Sequence, residues 1–315
     1  MRKVAFAVIL AAVIGALFAR YQHGVARTPP IAPSTLRPVS EADEAILALA
    51  EQTLVARCMA RAGFDYTVVG PDPDPFPFRY VLDDPRWAGR HGYGSDLRRQ
   101  QRSRKNPNSR YFQSLTAAEK KAATAAINGP SPVGLTARLP DGLVIRHSDR
   151  GCAAEAQRDL YRDLATWFQS TKLVENLPGA RYGRVVSDPR YAAAVRSWSQ
   201  CMRHRGHPVT DPAEAHNRFI NRSKPFPHRT EVAFAAAEAA CAVTTRLGAT
   251  ARTLDSGYDE TVRAEVRPLL LARANLQRQA LPAARQIVRS GAGPRVLKPH
   301  SPTAVVRQTH NEENT

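Results

Sequence analysis

Cysteine is scarce in this chain, with four in 315 residues, and no two are spaced as C-x-x-C. Without that spacing a thioredoxin-type redox pair, a haem-attachment site and a zinc ribbon are all excluded. The chain also has no H-E-x-x-H helix, no G-x-S-x-G turn and no Gly-rich phosphate loop ending in Gly-Lys. The short signatures of zinc hydrolases, serine hydrolases and nucleotide-binding enzymes therefore do not apply. Acidic residues are few as well: 28 Asp and Glu face 45 Lys and Arg, for a net charge of +17. Hydrophobic residues make up 43% of the chain, enough to build a core, so wholesale disorder is excluded.

The positive charge is concentrated in two blocks. Arg86 to Arg110 holds eight basic residues against Asp96 alone, and Val262 to Arg307 holds nine against Glu265 alone. Blocks of one sign favour anionic partners. Arginine far outnumbers lysine in an alanine-rich chain, which we read chiefly as GC-rich coding rather than as selection for guanidinium chemistry.

Arg2 and Lys3 precede an uncharged apolar run from Val4 to Ala19, the order of a secretory signal or a signal anchor. The run is slightly short for a membrane span, which needs about 17 residues or more. Small-residue sites ending at Ala19 and Ala26 suit cleavage. A signal peptide over 1–26 and a single retained anchor both stay open, and no Cys lies beside the run to take a lipid. Either way the rest is expected to be extracytoplasmic, beyond a Pro-rich linker at 27–39. An even number of cysteines, Cys58, Cys152, Cys201 and Cys241, agrees with an oxidising compartment.

Helix punctuation organises residues 40–290 into one mainly helical, all-α domain. Ser40 followed by Glu41, Asp43 and Glu44 opens a helix that stops at Gly63. Residues 70–110 lack helical periodicity and carry Pro71, Pro73 and Pro75, so a long irregular, basic loop is expected there. Thr116 to Glu119 is a capping box, and Leu143 to Ile145 lies in a loop or short hairpin. A long amphipathic helix follows Cys152 through Leu160 and Leu164 to Phe168. Asp188-Pro189 and Asp211-Pro212 open two more helices, and Thr230 starts one through Cys241. Helical stretches follow at 250–254 and 259–289, bent at Pro268 and Pro282; residues 291–315 read as a disordered basic tail.

An internal repeat stands out. Cys58-Met59 with Gly63 matches Cys201-Met202 with Gly206, and each unit is followed by a further Cys on an Ala-rich helix, Cys152 and Cys241. Two helical hairpins with one disulfide each are the simplest reading. In these features the chain resembles a broad set of exported actinobacterial proteins, many of them lipoproteins. They carry Cys-Met-x-x-x-Gly twice, a Leu-Thr-x-x-Glu helix start between (here Leu115 to Glu119), then Gly-Cys (Gly151 and Cys152) and Trp-x-x-Cys-Met (Trp198 to Met202). The resemblance covers about residues 40–250 and implies a fold and a compartment; it brings no activity with it. Of three possible disulfide pairings, the repeat selects Cys58 with Cys152 and Cys201 with Cys241.

Candidate chemistry is thin, and no catalytic, cofactor or metal residue set is assigned. His204, His207 and His216 lie close in sequence, but Gly206 and Pro208 break the helix that would align them. His147, Ser148 and Asp149 are contiguous and so point in different directions. Glu51 and Asp65 could in principle pair as hydrolase carboxylates. Trp167 and Trp198 sit at core spacing, whereas Trp87, Tyr93, Tyr111 and Phe112 accompany the basic block. Arg86, Arg90, Arg98, Arg99, Arg102, Arg104, Lys105 and Arg110 are the candidate anion-binding set. The expected function is that of a non-enzymatic envelope protein holding an anionic wall polymer, lipid headgroups or an acidic protein partner. The N-terminal segment would add membrane contact if uncleaved. Nucleic acid is disfavoured by the compartment, and an envelope hydrolase is the alternative.

Overall fold

The computed structural model describes residues 38–70, 76–103, 106–220 and 226–290. The apolar run at 4–19, residues 27–37 of the linker, Pro71, Pro73 and Pro75, Arg104, Lys105 and the tail lie outside the described residues. The fold is mainly α: twelve helices and one small hairpin among the described residues.

Helix α1, Glu41–Arg61, begins where the Ser40 side chain accepts from the Asp43 N–H at 3.1 Å, with three acidic residues in its first turn. Helix α5, Ala117–Asn128, opens with the full capping box: the Glu119 N–H donates to the Thr116 hydroxyl and the Thr116 N–H donates to the Glu119 carboxylate. The hairpin pairs β1, Gly134–Arg138, with β2, Val144–Ser148, antiparallel, Ala137 opposite Ile145.

Residues 85–114 depart from the expected irregular loop. They form three short helices: α2, Pro85–His91; α3, Ser95–Ser103; and α4, Pro107–Ser114. The cause is local. Asp84 accepts from the Arg86 and Trp87 N–H groups, Asn106 accepts from Asn108 and Ser109, and each cap is followed by proline in the first turn. The long helix expected after Cys152 is also two. Helix α6, Cys152–Tyr161, ends at Arg162, whose φ of 67° is left-handed, and Asp163 then caps α7, Leu164–Val186, through Thr166.

Helix α8, Pro189–His204, precedes α9, Pro212–Asn217, and α10, His228–Thr244. The last two helices are longer than expected: α11, Leu247–Glu265, and α12, Arg267–Ser290, meet at Val266. Pro268 falls in the first turn of α12, where the missing N–H costs nothing, so the break precedes it.

Both expected disulfides are present. Cys58 and Cys152 join α1 to α6 with Cα atoms 5.4 Å apart, and Cys201 and Cys241 join α8 to α10 at 5.7 Å. The two Cys-Met helix ends close in the same way. Gly63 (φ 82°) and Gly206 (φ 79°) take the left-handed position, and the next N–H, of Phe64 or His207, donates to the Met59 or Met202 carbonyl at 2.9 Å.

The cores do not divide by repeat. Trp198, Met202, Phe234, Cys241 and Leu247 of the second repeat bury Val81, Leu82, Ala88 and Tyr93, which belong to the first by sequence. Conversely, α12 returns to α1, where Ala280 and Ala284 pack with Leu47, Ala50, Leu160 and Trp167. Trp167 and Trp198 are core residues, as their spacing implied.

Candidate functional site

The basic helices α2 and α3 are fixed to the fold from beneath. Between them the chain turns through Gly92 (φ 57°), Tyr93 and Gly94 (φ 79°). That turn is held by two carboxylates from α10. Glu231 accepts from the Tyr93 N–H at 2.8 Å, from the Ser95 N–H at 3.2 Å and from the Ser95 hydroxyl. Glu238 accepts from the Leu82 N–H at 3.2 Å and from the Tyr93 hydroxyl. Glu238 is only 1% exposed, and burial pushes its carboxyl up to about 7. Tyr93 stacks on Phe219 at 5.1 Å, and burial raises its hydroxyl well above the ordinary phenol value.

On this base Arg86, Arg90, Arg99 and Arg102 are exposed, and Arg110 is exposed on α4. Arg98 is part of the scaffold: it donates to the Tyr93 carbonyl at 2.8 Å and lies 5.8 Å over the Phe76 ring. Trp87 is not an outward platform either. It is half-buried, edge-on to Phe78 at 5.6 Å and 4.9 Å from His91. The neighbouring acids are engaged elsewhere: Asp83 with Arg252 at 2.5 Å, Asp84 as the α2 cap, and Asp96 with His91 Nδ1 at 2.8 Å.

The other candidates separate. His204 is exposed at the end of α8, His207 lies 4.7 Å from the Phe234 ring, and His216 stacks on Phe76 at 4.6 Å. Among the described residues no three His, Cys, Asp or Glu side chains are grouped to hold a metal. His147 Nδ1 faces the Ser148 carbonyl, and the Ser148 hydroxyl accepts the Arg150 N–H at 3.1 Å, so these neighbours form no relay. Glu51 accepts from Gln157 at 2.9 Å in a cluster with Tyr161 and Arg273, and burial raises its carboxyl. Asp65 is at the surface in a cleft lined also by Phe64 and Tyr66, and Glu51 is not among the residues lining that cleft.

Two clefts sit at matching places, beside the glycines that end α1 and α8. The first, about 450 Å³, has Met59, Ala123 and Ile127 among its lining with Phe64, Tyr66 and Asp65 from the chain after Gly63. The second, about 600 Å³, is lined by Phe219, Phe226 and Phe234 with His207, Arg218 and Arg229. A narrower space of about 100 Å³ reaches Glu238, Tyr93 and His216.

The residues that sequence reasoning missed are Glu231 and Glu238. On an Ala-rich helix an isolated Glu reads as solvated, and only the Tyr93 turn shows why each is inside.

None of the described helices is by itself long and apolar enough to cross a membrane; α10 and α11 pass such a test only jointly, bent by 67°. Helix α10 is packed at the centre of the larger core. Comparison with protein-family models, curated proteins and solved structures gives no match. The class that can be stated is therefore structural: a mainly helical domain stapled by two disulfides, a chemistry compatible with an extracytoplasmic location.

Proposed function

We propose that this chain is an exported, non-enzymatic envelope protein that holds an anionic envelope component on the surface formed by α2 and α3. The component would be a wall polymer, lipid headgroups or an acidic protein partner. One observation carries the reading. Arg86, Arg90, Arg99 and Arg102 are exposed on helices anchored through Tyr93, while Asp83, Asp84 and Asp96 are held in other contacts. Among the described residues none of these four guanidinium groups is in an ion pair, which leaves their charge for a ligand.

The test is retention on vesicles containing phosphatidylglycerol and on a purified anionic wall polymer across a salt series. Retention should fall by roughly tenfold or more between low and physiological salt, as screening of several exposed charges requires. Replacing Arg86, Arg90, Arg99 and Arg102 by Ser should weaken it at low salt with the melting temperature unchanged. Retention that ignores both salt and these substitutions would overturn the proposal.

A further inference from the structure

We propose that the cleft beside the end of α1 binds an uncharged sugar unit of a glycan, at a site distinct from the basic surface. The cleft holds about 450 Å³, within the usual range for small-molecule sites. Its walls combine aromatic rings with polar groups. Phe64 and Tyr66 come from the chain after Gly63, and Tyr111 and Phe112 come from α4. Phe112 is 41% exposed, a large apolar ring left on the surface.

The polar groups in the same cleft are Asp65, Gln113 and Asn128. Asp65 and Asn128 are at the surface, and none of the three side chains has a hydrogen-bond partner among the described residues. A pyranose ring has an apolar C–H face and a rim of hydroxyls that both donate and accept. Aromatic faces meet the first; a carboxylate and two amides meet the second. An apolar peptide or acyl chain would satisfy the rings and leave those three groups without partners, a costly mismatch once water is displaced. An anionic ligand would meet the Asp65 carboxylate.

The site is also held open. Asn108 clamps α4 to the chain after α1, accepting from the Thr67 N–H at 2.7 Å and donating to the Thr67 carbonyl at 2.8 Å. The Tyr66 hydroxyl is fixed to Gln52 at 2.6 Å. Placement of this kind lowers the ordering cost of binding. The matching cleft of the second repeat carries Arg218 and Arg229 in place of such acid and amide groups, so the two positions have diverged in charge.

Calorimetry and saturation-transfer NMR on the full chain, titrated with cellotetraose, chitotetraose, maltotetraose and mannotetraose, test this. At least one should bind saturably, with Kd on the order of 0.1–1 mM. Phe112→Ala and Asp65→Asn should each weaken that binding by roughly tenfold. Both residues are at the surface, so melting temperatures should not change, and retention on anionic vesicles should be unaffected. The saccharide site and the anion surface can thus fail separately. The proposal is overturned if no saccharide binds at millimolar concentration, if binding survives Phe112→Ala, or if an uncharged apolar tetrapeptide binds more tightly at the cleft.

Discussion

Two buried residues on α10 dictate how stability should respond to pH and to mutation. Glu238 has its carboxyl raised by burial from an ordinary 4.5 to about 7, so the folded state holds the proton more tightly than the unfolded chain does. Its contribution is therefore fully present below about pH 4.5 and is lost as pH rises to about 7, a change of about 3 kcal/mol. Glu238→Gln can still accept from Leu82 and should flatten that part of a denaturant-midpoint profile between pH 4.5 and 8. A profile equally steep in the variant would assign the pH dependence elsewhere. Gly92 has φ 57°, and a Cβ there would lie 2.7 Å from Glu231 Cγ. Gly92→Ala should cost about 2–4 kcal/mol in urea unfolding, since it adds backbone strain and displaces the carboxylate that satisfies Tyr93 and Ser95. None of this was legible beforehand. His91, Gly92, Tyr93 and Gly94 fall in the stretch expected to be an irregular loop, because the carboxylates that hold Tyr93 lie some 140 residues further on.

At the scale of elements, what could be read was whatever is written locally. The Ser40 cap, the Thr116 box and the prolines at 189 and 212 placed four helices, and all four are present. The same signal, Asp or Asn before Pro, opens α2 and α4, yet their runs are too short and too charged to show an apolar face. Likewise the apolar pattern from Ala153 to Phe168 crosses Arg162 unbroken, because the left-handed residue keeps both helices facing the core while turning the chain. The repeat was the most informative feature, since it selected the disulfides. Replacing Cys201 and Cys241 together by Ala removes a staple with a sequence separation of 40 and should cost about 4 kcal/mol on the chain-entropy account. Thermal unfolding compared with the chain lacking Cys58 and Cys152 checks this, and the latter should lose slightly more because its separation is 94.

At the scale of the whole molecule, the two expected helical-hairpin repeats exchange segments within the one domain. The segment around Leu82 and Tyr93 completes the core of the second repeat, while α12, last of the described helices, completes that of the first. Such pairings join residues far apart in sequence, and no local pattern reports them. A chain stopped at Val266 should therefore fail in its N-terminal half: limited proteolysis should cut within α1 and α6 well before α8 and α10. Uniform protection of both halves would show that α12 is dispensable.

The return of α12 also brings the first and last of the described helices together. Arg285 near the end of α12 pairs with Asp43 in the first turn of α1 at 2.8 Å, and the helices run antiparallel, Arg273 lying by Glu51. Only five helical steps, about 7.5 Å, separate Arg285 from Ser290. The path of the described helices thus nearly closes on itself between Ser40 and Ser290, and in a chain of residues 40–290 a short Gly-Ser bridge there would let the chain be opened elsewhere. The hairpin turn at Gly142, where no neighbouring atom comes within 4 Å of an added Cβ, is a suitable place for new ends. In such a permutant α1 and α12 would become consecutive helices joined by a short connection, and a contact that now joins the first and last of the described helices would become one of the most local.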